Sequence, residues 1–259
     1  MIIDYYRIDP TGNITLLVKT PVPEQKRAET AALLMRAEPG AEQVGFISDK
    51  TLNMAGGEFC GNATLSAAAV YCLEHGLEEA SPDLAVSGAQ KPVHTVIKKT
   101  GENTYRGSVR MPAPVDIGEI KLNPGGRELT APLIDFGGIA HIILTESADR
   151  DIIEKTIKET ARGIGADCLG IMLASEGRLT PLVYVRNPET LVWESSCASG
   201  TSAAGIYFAM KNGGVFEGEF IEPGGTLGVS VKTESGGEPV ILLSGTVITD
   251  KIRSLNLTI

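Results

Sequence analysis

The spacing of apolar positions changes along the chain in a succession that occurs twice. Ile14–Val18 is a run of apolar and β-branched residues and predicts a strand. Pro23–Arg36 then carries its apolar positions at helical spacing, and Gln43–Ile47 returns to strand character. The same order reappears in Ile139–Thr145, Arg150–Arg162 and Cys168–Leu173. A hairpin-like stretch follows each second strand. After it comes an uncharged run of 14 residues, Cys60–Leu73 in one case and Cys197–Met210 in the other. Ala, Ser, Gly and Thr dominate both runs. Small residues on every side suit a helix buried all round, with other backbones packed close against it. Val93–Ile97, Tyr105–Met111, Thr226–Val231 and Val240–Thr246 alternate in polarity between Gly and Pro residues, which predicts antiparallel strands.

Residue identities repeat along with the pattern. Gly12-Asn13-Ile14 returns as Gly137-Gly138-Ile139, and Gly40–Ile47 as Gly165–Met172, both at an offset of 125. Cys60-Gly61-Asn62-Ala63-Thr64 is echoed by Cys197-Ala198-Ser199-Gly200-Thr201 at an offset of 137, so the second copy carries twelve extra residues ahead of its cysteine. Three matches in one order indicate a duplicated unit. The expected fold class is α+β: two pseudo-symmetric lobes, each a mixed, mostly antiparallel sheet wrapped around a central helix. The lobes are expected at residues 1–115 and 116–250, with the joint in Ala113–Leu122 between Pro112 and Pro124. The tail 251–259 is expected to return to the first lobe, pairing through Leu255–Ile259.

Composition narrows the chemistry. The chain has 259 residues, 42% of them hydrophobic, which is ample for packed cores and excludes wholesale disorder. A net charge of −9 and few aromatic residues argue against a nucleic-acid binder, which needs basic stripes and stacking faces. The opening MIIDYYRIDP lacks the pattern of a signal peptide, and the 14-residue uncharged runs are too short to span a bilayer, so a cytoplasmic protein without membrane contact is expected. Four cysteines (Cys60, Cys72, Cys168, Cys197) form no C-x-x-C pair, and three histidines stand far apart, so no metal site is expected.

Two of the cysteines stand apart from the others. In an Ala/Ser-rich helix a cysteine is usually a small buried hydrophobe, and Cys72 and Cys168 are read that way. Cys60 and Cys197 instead hold matched places at the start of the two central helices. Helix N-termini lower a thiol's pKa and collect anions, because their N–H groups point outward. Pseudo-twofold packing would set one sulfur on each side of a bound carboxylate. One sulfur could then take a proton from one face of a carbon while the other returns a proton to the opposite face. A reversible Cys60–Cys197 disulfide is the competing reading.

Phe59-Cys60-Gly61-Asn62-Ala63 and Ser196-Cys197-Ala198-Ser199-Gly200-Thr201 resemble the paired cysteine motifs of the diaminopimelate epimerase-like superfamily. Pro223-Gly224-Gly225-Thr226-Leu227 resembles its C-terminal signature. Within it, Gly12–Val18, Glu42–Ile47, Gly57–Thr64 and Trp193–Cys197 are most similar to the histidine racemases of staphylopine-type metallophore synthesis. The resemblance implies the diaminopimelate epimerase-like fold, an amino-acid substrate, catalytic Cys60 and Cys197, no cofactor such as pyridoxal phosphate, and a homodimer. It also implies substrate contacts from Asn13, Gln43, Gly61, Asn62, Ala198 and Ser199.

Departures from the epimerase pattern bear on substrate. The Glu-Arg pair that grips a distal amino-acid head in diaminopimelate epimerases is absent from Arg186–Glu194. Gly138-Ile139-Ala140-His141 keeps the family's histidine but loses its asparagine, and Cys168 stands where those epimerases have a substrate-binding asparagine. Such a site would leave a second zwitterionic head unpaired, which disfavours diaminopimelate. Several roles stay open. His141 is either a pocket-wall group or a satisfied structural histidine. Glu58 and Glu194 either hold the substrate ammonium or face solvent. Asn62 and Ser199 cap helices, touch ligand, or both, and Trp193 either walls the pocket or belongs to the core. The functional readings are a histidine racemase, a racemase or epimerase of another amino acid including diaminopimelate, and an amino-acid-binding protein with a redox-sensitive cysteine pair.

Overall fold

The computed structural model describes the chain except for residues 147–148, 187–188, 234–236 and 259. Its first elements are β1 (Ile2–Pro10), β2 (Thr15–Val18), α1 (Glu24–Ala37), β3 (Gln43–Ser48), β4 (Thr51–Met54), α2 (Gly61–His75), β5 (Glu79–Ala80), β6 (Asp83–Val86), β7 (Val93–Lys99) and β8 (Thr104–Met111). They are followed by β9 (Asp116–Leu122), β10 (Leu129–Asp135), β11 (Ala140–Leu144), α3 (Arg150–Ile164), β12 (Cys168–Ser175), β13 (Arg178–Val185), β14 (Thr190–Trp193) and α4 (Ala198–Lys211). The last strands are β15 (Val215–Glu222), β16 (Gly225–Lys232), β17 (Val240–Ile248) and β18 (Arg253–Asn256). Two compact units result, Met1–Arg110 with Ser244–Ile259, and Met111–Leu243.

The first unit closes on itself. β1 pairs antiparallel with β2, and β2 runs parallel to β3 across the crossover helix α1. From β3 the pairing passes through β4, β6, β7 and β8, and then through β17 back to the end of β1, where Asp9 faces Ile248 and Pro10 faces Val247. This ring of eight strands has α2 packed against β1, β2, β6 and β7. Every residue of α2 from Gly61 to Val70 is buried, which the run of Ala, Ser, Gly and Thr permits because small side chains let backbones approach. β18 extends β1 on its other edge, with Ile3 facing Leu255. Ile259, the last residue of the expected return, lies outside the described residues.

The second unit repeats the succession strand, crossover helix, parallel strand, antiparallel strand, buried helix. β11 and β12 are parallel with α3 between them, β13 turns back on β12, and α4 packs against β11, β12, β15 and β16. α3 is flanked by its N-cap Asp149 and by Gly165, which takes the left-handed conformation common after helices. Its face of Ile153, Ile157 and Ala161 joins Ile142, Leu169, Ile171 and Tyr184 in one core. The twelve extra residues lengthen the hairpin and add β14 on β13. Asn187 and Pro188, which interrupt that stretch, lie outside the described residues.

The joint expected in Ala113–Leu122 is narrower than the sequence suggests. Asp116–Leu122 is strand β9, paired residue for residue with β10 from Asp116–Asp135 to Leu122–Leu129. Backbone hydrogen bonding fixes this strand even though six of its seven residues are not buried, so it carries no hydrophobic alternation to read. The segment without secondary structure is Pro112–Pro114.

Candidate active site

In the first unit, Cys60 is the N-cap of α2, in extended conformation with φ −133° and ψ 116°. Its Sγ accepts from the Ala63 N–H at 3.4 Å and donates its own proton to Gln43 Oε1 at 3.0 Å. The Gln43 amide is held on its other side, where Nε2 donates to Asn13 Oδ1 at 2.5 Å and to Thr15 Oγ1 at 2.8 Å. Asn13 in turn donates from Nδ2 to the Glu42 carboxylate. An acceptor-only carboxylate at the end of this chain orients both amides, so that a carbonyl oxygen is what Cys60 meets. The α2 ladder begins only with Thr64 N–H to Cys60 C=O, so the amides of Gly61 and Asn62 precede it at the positive end of the helix.

The second unit builds a more enclosed version. Cys197 is the N-cap of α4 with φ −132° and ψ 104°, nearly the Cys60 conformation, and only 7% of it is exposed. Burial pushes its thiol pKa well up, and the neighbouring Glu194 and Glu222 carboxyls push in the same direction. The Gly200 amide opposes them weakly. Cys197 is therefore held as a thiol. Ser199 Oγ lies 3.7 Å from its Sγ and shares a 2.8 Å hydrogen bond with His141 Nε2. His141 is wholly buried, which lowers its pKa to about 3 and keeps the ring neutral.

Several expected residues fall into place around the sulfurs, and others do not. Asn62 and Ser199 occupy the second helical position, one residue after Gly61 and Ala198, because the cysteines themselves are the N-caps. Neither is a cap. Glu194 is half-buried against the Cys197 thiol, whereas Glu58 is exposed, its carboxylate folded over Gly56. Trp193 packs on the second unit's core, with its Nε1 donating to Glu154 at 2.7 Å and Arg150 over its ring. Cys72 is buried inside α2, and Cys168 opens β12. Among the described residues, no group of three potential ligands is placed to hold a metal ion. No helix among them is long and apolar enough to cross a membrane.

Sequence reasoning missed Glu222. Its Oε2 accepts from the Cys197 N–H at 2.8 Å, its Oε1 contacts the Thr201 hydroxyl, and it is 4% exposed. The signal was available in strand parity, since Phe216, Gly218, Phe220 and Glu222 share the inward face of β15 while Glu217, Glu219 and Ile221 point out. The turn that follows, Pro223-Gly224, is pinned by the Gly224 N–H to Ser195 C=O at 2.7 Å, beside the second cysteine loop.

Two buried small-residue helices, each capped by a cysteine, stand in this α+β fold, and the relatives it resembles place the chain among racemase-type isomerases. The fold itself is shared with a phenazine biosynthesis protein of the PhzF family from Bacillus anthracis, at a TM-score of 0.70 and 13% identity over 99% of this chain and 100% of that one. The chain belongs to the histidine racemase CntK N-terminal domain family, whose model matches residues 2–250. It is 31% identical to a histidine racemase of Fusobacterium nucleatum over 87% of this chain and 88% of that protein. A histidine racemase of Staphylococcus aureus is 29% identical, with 89% of each chain covered.

Proposed function

We propose that this protein interconverts L- and D-histidine by a two-base mechanism without pyridoxal phosphate, Cys60 and Cys197 being the two bases. The observation that carries the reading is the matched N-cap conformation of these cysteines at the heads of two buried helices. The names of the relatives supply the amino acid. One sulfur, as thiolate, removes the α-proton, and the other, as thiol, protonates the opposite face. Glu194 favours the thiol at Cys197, and Gln43 Oε1 favours it at Cys60, so the thiolate forms at the expense of one of these contacts. In this reading, helix N-terminal amides beside the cysteines stabilise the negative charge developing on the substrate carboxylate. Asn13, Gln43, Gly61, Asn62, Ala198 and Ser199 bind the substrate backbone in this reading, and Glu194 takes the ammonium.

The reading extends to a cytoplasmic homodimer that makes D-histidine for metallophore assembly, and light scattering of the purified protein is expected to give twice the chain mass. The decisive experiment is proton NMR of L-histidine with the protein in D₂O. The α-signal is expected to fade without added pyridoxal phosphate. Early in the reaction deuterium should be found in the D-product while recovered L-histidine keeps its protium, the signature of two distinct bases. Deuterium appearing equally in both enantiomers from the start would indicate a single base. Faster exchange of another amino acid would reassign the substrate.

A further inference from the structure

The two ring nitrogens of His141 have unlike surroundings. The ring is wholly buried, and among the described residues its Nδ1 has no hydrogen-bond partner. Gly170 closes that side of the ring. A Cβ at Gly170 would come 2.2 Å from Nδ1, so the Cα–H group of the glycine is pressed against this nitrogen. On the other side, Nε2 shares its 2.8 Å hydrogen bond with Ser199 Oγ, and Ser199 Oγ lies 3.7 Å from Cys197 Sγ. All four residues belong to the second unit.

A neutral imidazole carries one proton, and the partners of its nitrogens decide which of them holds it. On Nδ1 the proton would be a buried donor with no acceptor and a carbon-bound hydrogen in front of it, an arrangement that folded proteins rarely tolerate. On Nε2 the same proton is used, because it donates to Ser199 Oγ. The serine's single proton then points away from the ring, and Cys197 Sγ is the other partner that the structure gives it. Burial supports the neutral ring by lowering the His141 pKa to about 3.

We propose that Ser199 donates its hydroxyl to Cys197 Sγ whenever that sulfur is a thiolate, and that His141, in its Nε2–H form, fixes the direction of the donation. Ser199 is then a catalytic residue, touching a reacting atom, and His141 is a positioning residue that acts through it. The inference rests on Cys197 being one of the two bases. The titratable groups around this sulfur are Glu194, Glu222 and, through Ser199, His141. Burial and both carboxyls favour the thiol, and the Gly200 amide opposes them weakly. In one direction of the reaction Cys197 gives its proton to the substrate Cα and is left as a thiolate. In the other direction that thiolate takes the α-proton, and the electron pair of the C–H bond stays on carbon. A donor already aimed at the sulfur serves both directions, since hydrogen bonds to an ionised acceptor are shorter and stronger than neutral ones. Cys60 Sγ, in contrast, faces the acceptor Gln43 Oε1, so the two sulfurs are prepared differently.

Two measurements test the proposal. Long-range ¹H–¹⁵N correlation spectra of protein labelled in histidine distinguish a protonated ring nitrogen from a bare one. Substituting the exposed His75 and His94 by Gln, one at a time, assigns the remaining signals to His141. A single proton on Nε2 is expected at pH 7. A proton on Nδ1, or on both nitrogens, would overturn the proposal. Iodoacetamide labelling of Cys197, followed in a mass spectrometer across pH, gives the ionisation midpoint of the thiol. Ser199→Ala is expected to raise that midpoint by about one to two pH units, the size of one hydrogen bond to a charged group. His141→Leu should move it the same way, and His141→Gln, whose amide offers an N–H near the place of Nε2, should recover most of the shift. A Ser199→Ala curve superimposable on that of the unsubstituted protein would overturn the proposal as well. The nitrogen spectra settle the direction of donation even if the variants at 141 and 199 fail to fold. Neither measurement needs turnover, so an absence of racemisation would count against the function above and not against this hydrogen-bond chain.

Discussion

Cys60→Ser and Cys197→Ser are each expected to lower the rate of histidine racemisation by at least about 10³-fold while leaving the thermal midpoint unchanged or raised. The two halves of this result have separate causes. A serine hydroxyl is far too weak an acid to exist as an anion at neutral pH, so neither proton transfer can be carried by the substituted side. Serine is, however, a preferred N-cap, better suited to accept from first-turn amides than sulfur is. At Cys60 the cap bond from the Ala63 N–H is already made, at a long 3.4 Å, and an oxygen takes it over. At Cys197 the backbone bond to Glu222 does not depend on the side chain. Scanning calorimetry beside the D₂O rate separates chemistry from folding. A variant keeping a tenth of the rate would remove its cysteine from the mechanism, and a variant losing rate and midpoint together would mark the cysteine as structural.

The elements that position these cysteines were legible because they obey strong periodicities. α1, α3, β3, β12 and the alternating strands β7, β8, β16 and β17 lie within a few residues of where the pattern predicts them. The two buried helices were legible from composition, since only small uncharged residues tolerate backbone contact on every side. β9 was not, because its pairing partner and not its side chains holds it in place. The roles of Asn62 and Ser199 as second-position residues were hidden for another reason. Cysteine is an uncommon cap, and the more familiar capping residues stood two positions later. Glu222 was the largest omission. Its strand mixes Phe and Glu so evenly that only parity along β15 separates the buried carboxyl from the exposed ones.

The duplicated glycines Gly45 and Gly170, 125 residues apart, lie in the corresponding strands β3 and β12, yet their alanine variants are expected to behave differently. Gly170 faces His141 across the parallel pair β11–β12. A Cβ at Gly170 would lie 2.2 Å from His141 Nδ1, 2.9 Å from its Cε1 and 2.9 Å from the Met172 methyl. Methionine can move aside, but the imidazole is wholly buried, tethered to Ser199 at 2.8 Å and flanked edge-on by Phe136. Gly170→Ala must therefore displace the ring and with it Ser199 in the first turn of α4. The expected cost is about 1–3 kcal/mol of stability from overpacking. A fall of about 10²-fold in kcat/KM should accompany it, because a shift near one ångström at a reacting group is felt at that scale. At Gly45 the added methyl would meet the ends of Leu52 and Leu17, at 2.7 and 3.1 Å, and both can turn. Gly45→Ala is expected at the lower end of the same stability range with a much smaller loss of rate. Urea unfolding and racemisation rates of the two variants, measured together, test whether the His141–Ser199 contact transmits the strain. Equal rate losses in both would show that it does not, and that the glycines serve packing alone.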